Sequence, residues 1–387
     1  MKTQEIAKNI YSVGVSDWNV RNFHGYLTQR GSSYNSYLII DEKIALIDTV
    51  KSPFTVEFME RVGSIIPLER IDYVISNHVE MDHSGAMPEI MKRCPNATVI
   101  TSQSGEKEHK MHYDTGKWKF QIVKTGETLS LGERSLSFLM TPMVHWPDNM
   151  VTYCDKEKIL FSNDAFGQHY ACSECFDDEL PLDLILWEAK KYYANIVMPY
   201  SSQVITALEA ASKLDIRMIA PSHGLIWRSH IKEILSSYTD WAHGKAGKKA
   251  VIVYDSMYGS TEKIAYALRD AFESKDYIYK FFDLKSNHHS DVIAECIDAE
   301  YICVGSPTLN KNIMPSVASM MTYMQGLMTK GKRGVLFGSY GWAPQNIKVM
   351  QRFFDESFVD LVASYNLNFI PKAADLKNIT KDLESKI

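Results

Sequence analysis

Between Tyr73 and Gly85 the sequence reads YVISNHVEMDHSG, placing His78, Glu80, Asp82 and His83 within six residues. Crowding two carboxylates and two imidazoles into one loop is unfavourable unless a cation offsets their desolvation and repulsion. The group follows YVIS, a β-branched run of the kind that forms a buried strand. Three further candidates hold the same position relative to a strand: His145 after SLSFLMTPMV, Asp164 after KILFSN and His223 after RMIAPS. Open α/β sheets bind ligands beyond the carboxyl ends of their strands, so four such ends point to one metal centre. Seven ligands are too many for one ion and enough for two. We divide them as His78, Glu80 and His145 for one ion, Asp82, His83 and His223 for the other, and Asp164 as a bridge. Paired ions of this kind stand roughly 3.5–4 Å apart. The set contains no thiolate. Mixed imidazole and carboxylate ligation suits iron, with manganese and zinc also open.

A second constellation lies near the C-terminus. After AVIVYD come Ser256, Met257, Tyr258, Gly259, Ser260 and Thr261, leading into a helix at Glu262. Hydroxyls and backbone N–H groups at a helix N-terminus bind anions. The loop has no Lys or Arg and no GKS or GKT, which argues against a nucleoside triphosphate with magnesium. Two more loops, Ser306-Pro307-Thr308-Leu309-Asn310 after AEYICVG and Ser339-Tyr340-Gly341-Trp342 after GVLFG, are expected on the same face. A phosphomonoester held by neutral donors, with Tyr340 and Trp342 offering aromatic surface to a ring system, resembles the FMN site of flavodoxins.

The elements that must position these residues fall into two sets. In the first part, NSYLIID, KIALIDT, DYVIS, ATVITS, SLSFLMT, KILFS and RMIAPS read as short strands. PFTVEFMERVGSII, PEIMKRC and VITALEAASKL are spaced as amphipathic helices between them. That mixture predicts packed sheets with helices outside. Small and basic residues at Trp241–Lys249 mark the linker. Beyond it, strands AVIVYD, YIYKFFDL, AEYICVGS, GVLFGS and NLNFI alternate with helices over about 140 residues, which predicts a doubly wound parallel sheet.

The pattern H-x-E-x-D-H, followed by a lone His, a lone Asp and a distant His, resembles the metallo-β-lactamase superfamily. Hydrolases of that superfamily usually carry His where this chain has Glu80. The extra negative charge lowers the Lewis acidity of the ion and favours oxidised iron. With Glu80 the sequence is similar to the flavodiiron proteins, and the likeness continues in DWNVRNFHG, HWPDNMV and YYANIVMPY. It implies an α/β chain with a metallo-β-lactamase-like αββα sandwich at 1–247 and a flavodoxin-like domain at 248–387. It also implies two iron ions, FMN, and reduction of O2 to water or NO to N2O. His24 and Tyr193 match family positions near the open coordination face. A head-to-tail homodimer, or a pair of such dimers, would bring one subunit's flavin to the other's iron, with Trp146 near that junction. No rubredoxin module is fused, so rubredoxin or reduced coenzyme F420 would serve as a separate electron donor.

Composition narrows the alternatives. The 387 residues are 45% hydrophobic and 23% charged with a net charge of -5, which suits a globular chain and gives no basic surface for nucleic acid or anionic lipid. No apolar run approaches the roughly 20 residues of a membrane span, and the first residues lack a secretory h-region. A cytoplasmic protein is expected. Six scattered cysteines make no disulfide framework, and the single CxxC, Cys172 to Cys175, is expected to have no redox or metal role. Lys248-Lys249, Lys330-Gly331-Lys332-Arg333 and His288-His289 read as solvated turns, and one basic cluster could meet an acidic donor. A zinc hydrolase is disfavoured by Glu80 and the flavin loops, and a simple electron carrier by the full ligand set.

Overall fold

The computed structural model describes residues 3–328, 331–357 and 359–387. The chain divides into two compact units: Met1–Tyr192 with Tyr200–Thr239, and Tyr193–Pro199 with Asp240–Ile387.

Short β-branched runs in the first unit pair into two sheets. One has seven strands, in the order Gln4–Ala7, Ile10–Ser12, Tyr37–Ile40, Ile44–Ile47, Tyr73–Ile75, Thr98–Thr101 and Lys119–Ile122. The other has five: Thr128–Ser130, Ser135–Met140, Met150–Cys154, Ile159–Asn163 and Met218–Pro221. Period-two alternation explains their packing. Tyr37, Ile39, Ala45 and Ile47 point into a core shared with Leu136, Phe138, Ile159 and Phe161 of the second sheet. Their neighbours Leu38, Ile44 and Leu46 face the other way. There they meet Phe58 and Val62, one turn apart on the helix Thr55–Gly63, and Met87, Ile90 and Met91 on Met87–Arg93. The helix Ser201–Ala211 buries Val204 on the outer side of the second sheet. The layers are therefore helix, sheet, sheet, helix, as the strand and helix patterns lead one to expect.

In the second unit five parallel strands stand in the order Ile278–Asp283, Gly247–Tyr254, Ala299–Gly305, Lys332–Tyr340 and Val359–Asn368. This is the doubly wound order whose switch point lies between the first and third strands in sequence. Helices Ser260–Ser274 and Ala373–Glu384 cover one face, burying Ile264, Leu268, Phe272 and Leu383 against Ile252, Tyr301 and Val335.

Three expectations are corrected. The last strand spans Val359–Asn368, so NLNFI supplies only its end, and Phe369 and Ile370 are exposed beyond it. Lys249 is not a solvated turn residue: it is buried and paired with Glu295 and Asp298 inside a strand. Lys332 is buried as well, donating to the carbonyls of Ile297 and Ala299 at 2.7 and 2.8 Å. Both lysines sit in strands because their long apolar stems can bury while the ammonium finds acceptors at the sheet end. Lys330 lies outside the described residues. Among the described residues, no helix is long and apolar enough to cross a membrane.

Candidate metal centre and cofactor pocket

The strand Tyr73–Ile75 ends just before His78, and the short helix Met81–Ser84 turns Asp82 and His83 back toward the same point. His145, Asp164 and His223 arrive from the second sheet, beyond Ser135–Met140, Ile159–Asn163 and Met218–Pro221. The residue after His223 has to be glycine. Gly224 takes φ +76°, and an added Cβ would stand 2.4 Å from Gln168 Oε1 and 2.7 Å from the Gln168 carbonyl oxygen.

All seven side chains meet, in two groups: His78, Glu80, His145 and Asp164, and Asp82, His83 and His223. Glu80 Oε2 is 3.3 Å from His78 Nε2 and 3.4 Å from His145 Nε2. Asp82 Oδ2 is 3.4 Å from the Nε2 atoms of both His83 and His223. Asp164 divides its oxygens between the groups. Its Oδ2 lies 3.0 Å from His145 Nε2 and 3.6 Å from His78 Nε2, while Oδ1 lies 3.0 Å from His83 Nε2 and 3.5 Å from His223 Nε2. One carboxylate oxygen for each group is the arrangement of a bridging ligand.

Outer partners set the imidazoles. His78 Nδ1 donates to Asp148 Oδ2 at 2.9 Å, and Asp148 also accepts from the Val79 N–H at 2.6 Å. His223 Nδ1 donates to the Ser33 carbonyl at 2.7 Å. With Nδ1 carrying the proton, Nε2 presents its lone pair to the centre, the tautomer a metal requires.

The residues fit a pair of cations. Both Asp82 oxygens, both His83 nitrogens and Asp164 Oδ1 are buried without a hydrogen-bond partner among the described residues. Unpartnered polar atoms of this density are otherwise expensive. Burial by itself would raise the Asp164 carboxyl and lower the imidazoles. Yet His83, His145 and His78 hold Asp164 well below the usual carboxylate range. Against its own burial, Asp82 and Asp164 push His83 up to about 9. Three carboxylates thus draw positive charge onto the cluster in whatever form is present.

The remaining expected residues are placed as follows. His24 sits in a tight hairpin between Asn22–Phe23 and Tyr26–Leu27, with His24 and Gly25 at φ 54° and 87°. Its exposed ring reaches Glu80 Oε1 at 3.2 Å. Lys191, fully buried, holds that hairpin by donating to the Leu27 carbonyl and Gln29 Oε1 at 2.8 and 2.6 Å. Trp146 packs its ring edge-on 5.2 Å from His78. Tyr193 is a correction. Its ring lies 5.5 Å from Trp241 in the second unit, and the tyrosine beside the ligands is Tyr192, 5.7 Å from His223. Successive residues leave a helix about 100° apart, so a shift of one position changes the face entirely. His169 stands in no motif that marks it in the sequence. It is buried 4.8 Å from His223 with Nδ1 2.8 Å from Ser32 Oγ. Asp148 belongs to the HWPDN segment, but nothing in its spacing distinguishes an outer partner from a ligand. Cys172 and Cys175 are free and buried, and burial pushes both thiols up to about 12, which leaves them unreactive.

In the second unit the three loops enclose a cavity of about 670 Å3 at the carboxyl ends of the strands. Ser256, Met257, Tyr258 and Ser260 line it from the first loop; Pro307, Thr308, Leu309 and Asn310 from the second; Ser339, Tyr340, Gly341 and Trp342 from the third. Gly259, Thr261 and Ser306 support this wall without lining it. Gly259 caps the helix Ser260–Ser274 at φ +79°, Thr261 Oγ1 meets Ser339 Oγ at 3.1 Å, and Ser306 Oγ accepts from the Met314 N–H at 2.9 Å. Lys311, Phe369 and Ile370 also line the cavity, so a cation stands in a wall expected to be neutral. The volume and aromatic rim suit a cofactor-sized ligand. Tyr258 and Trp342 are 93% and 94% exposed, leaving two aromatic faces available at the mouth.

Comparison with known proteins decides the kinship. Residues 33–224 match the family model for the ODP family beta lactamase, and residues 252–380 match flavodoxin. The nitric oxide reductase of Moorella thermoacetica is 44% identical over 96% of this chain and 95% of its own length. The rubredoxin-oxygen oxidoreductase of Megalodesulfovibrio gigas is 39% identical over 98% of this chain and 96% of its own. The chain belongs to the flavodiiron protein family. Its structure matches that of the flavodiiron protein of Giardia intestinalis with a TM-score of 0.97 at 36% identity, covering 100% of this chain and 96% of the other. The flavodiiron assignment accounts for the pairing of a seven-ligand cluster with a flavodoxin-like pocket in one chain.

Proposed function

We propose that this flavodiiron protein is an oxidoreductase with two iron ions in the first unit and FMN in the second, reducing O2 to water or NO to N2O. The observation that carries the reading is Asp164, whose two oxygens face two separate ligand groups. When bound, iron would supply Lewis acidity and reducing electrons at the gas, and FMN a store that releases electrons singly or in pairs.

The chain's own residues set the terms of that chemistry. Glu80 and the bridging Asp164 lend negative charge that favours the oxidised ions. Asp148 and the Ser33 carbonyl fix the His78 and His223 rings, so the ligand geometry does not have to reorganise between oxidation states. Reduction of O2 to two waters consumes four electrons and four protons; coupling two NO to N2O and water consumes two of each. His24, exposed and hydrogen-bonded to Glu80, is the group at the mouth able to hand a proton inward. In the flavin pocket the hydroxyl and amide groups at the N-terminus of Ser260–Ser274 would hold the phosphate, with Tyr340 and Trp342 against the ring.

We assign the di-iron domain to 1–247 and the flavin domain to 248–387, with Tyr193–Pro199 and residues 240–247 packing with the second unit. The working unit is a head-to-tail homodimer in the cytoplasm that brings Trp146 of one subunit near the other's flavin. Rubredoxin or reduced coenzyme F420 is the donor. The two exposed aromatic faces at the pocket mouth support this reading, because such surface is commonly covered by a partner.

The test is an anaerobic assay in which iron- and FMN-loaded protein is reduced through rubredoxin and then given O2 or NO in parallel. Consumption of at least one gas with reoxidation of the flavin is expected. A fully loaded protein that consumes neither, or one that purifies with zinc at both positions, would overturn the proposal.

A further inference from the structure

Outside the ligand cluster, the first unit holds a cavity of about 40 Å3 between its second sheet and the helix Ser201–Ala211. A single water needs only ~10–15 Å3 by the same kind of measure, so the space admits a molecule larger than water. Its walls are largely hydrocarbon, from Leu139, Val151 and Leu160 on the sheet and Val204, Ala207 and Ala211 on the helix. Three hydroxyl residues also contribute. Ser162 Oγ donates to the Ala165 carbonyl at 2.8 Å, and Tyr238 Oη accepts from the Phe166 N–H at 2.6 Å. Both hydroxyls thus make a hydrogen bond within the wall, and the rest of the lining is almost entirely hydrocarbon. An apolar cavity of this kind stays dry and takes up small nonpolar molecules.

Its position gives that property a use. Val144 and Ala165 form part of the wall, and each is the chain neighbour of a metal-site residue, His145 and Asp164. Those two side chains meet at 3.0 Å. On the outer side, Ala207, Leu208 and Ala211 are only half-buried, so the cavity lies close to solvent.

We propose that this cavity binds a nonpolar diatomic gas and feeds it to the metal centre along the segments that carry His145 and Asp164. The inference rests on the reading of the chain as an O2 or NO reductase, and extends it to how the gas arrives. A solute with no charge and little dipole gains from leaving water for such a site, which raises its local concentration beside the centre.

Crystals of the holoenzyme under xenon pressure test the binding directly, since xenon reports nonpolar gas sites without turnover. A xenon peak between Val204, Ala207 and Val144 is expected. Ala207→Leu fills the space and should abolish the peak. It should also lower kcat/KM for O2 or NO about fivefold, with kcat at saturating gas, iron content and the FMN spectrum unchanged. Ala211→Leu fills the space from the next turn should the first variant fail to fold. Absence of xenon from this cavity in an active enzyme overturns the proposal and leaves the reductase reading intact. A filled cavity with unchanged kcat/KM overturns it too. Xenon bound here in a loaded enzyme that turns over neither gas overturns the reductase reading, and the gas route with it.

Discussion

Removal of the Asp164 carboxylate, as Asp164→Ala, should weaken both metal positions at once. Each ligand group gathers four protein ligands if Asp164 is counted in both, and Asp164 is the only one shared. The substitution therefore takes one ligand from each ion, and one of three negative charges from the cluster. Losing an outer hydrogen-bond partner of a ligand costs 10–100-fold in metal affinity, so a direct ligand should cost at least about 100-fold per ion, or about 3 kcal/mol. The assay is dialysis against graded chelator, with iron per chain measured by atomic emission and the flavin absorbance as a control for the second unit. In Asp164→Ala both ions should leave over the same chelator range. Glu80→Ala, which touches one group only, should release one ion well before the other. An Asp164→Ala protein that sheds one ion while the second keeps its native affinity would refute the bridging assignment.

Three other outcomes follow from the structure. Burial holds His109 down at about 4 from the usual 6.5, with Nε2 2.9 Å from Ser76 Oγ. The folded chain thus keeps it neutral while the unfolded chain protonates it. Stability is full above about 6.5 and falls as the pH drops toward 4, by up to about 3 kcal/mol, a slope that urea titrations should find reduced in His109→Gln; equal slopes in the two proteins would contradict this. Lys191→Met leaves the Leu27 carbonyl and Gln29 without their buried donor and should cost about 2–4 kcal/mol in chemical denaturation, with the His24 hairpin becoming protease-sensitive first. Tyr340→Ala removes aromatic surface from the pocket and should weaken FMN about tenfold in a fluorescence titration; an unchanged Kd would detach the flavin from this cavity.

The metal ligands were legible because their chemistry repeats a single rule, a polar residue just beyond a hydrophobic strand, and that rule survives without knowing how the sheets pack. Strands such as Tyr37–Ile40 and Ile159–Asn163 carry short apolar runs, bounded by polar residues, that announce themselves. What escaped depends on facing. Tyr192 and Tyr193 are indistinguishable in sequence, and the wider turn over Tyr193–Val197 decides which ring meets His223. Asp148 reaches His78 across 70 positions, a distance no local pattern encodes. Lys249 and Lys332 read as surface charges because their acceptors, Glu295, Asp298 and two backbone carbonyls, come from other segments. Phe369 and Ile370 looked like the end of a strand, whereas φ 54° at Phe369 turns the chain there and leaves both at the flavin pocket.

Each ligand group draws on both sheets of the sandwich: His78 and Glu80 with His145, and Asp82 and His83 with His223. Iron would then act as a clasp along one rim, reinforcing the hydrogen bonds that already cross it from His78 and Val79 to Asp148 and from the Met150 N–H to the Asn77 carbonyl. A cell short of iron would accumulate chains with that rim loose and open to proteases, so supply of the metal would govern how long the protein lasts as well as how fast it works.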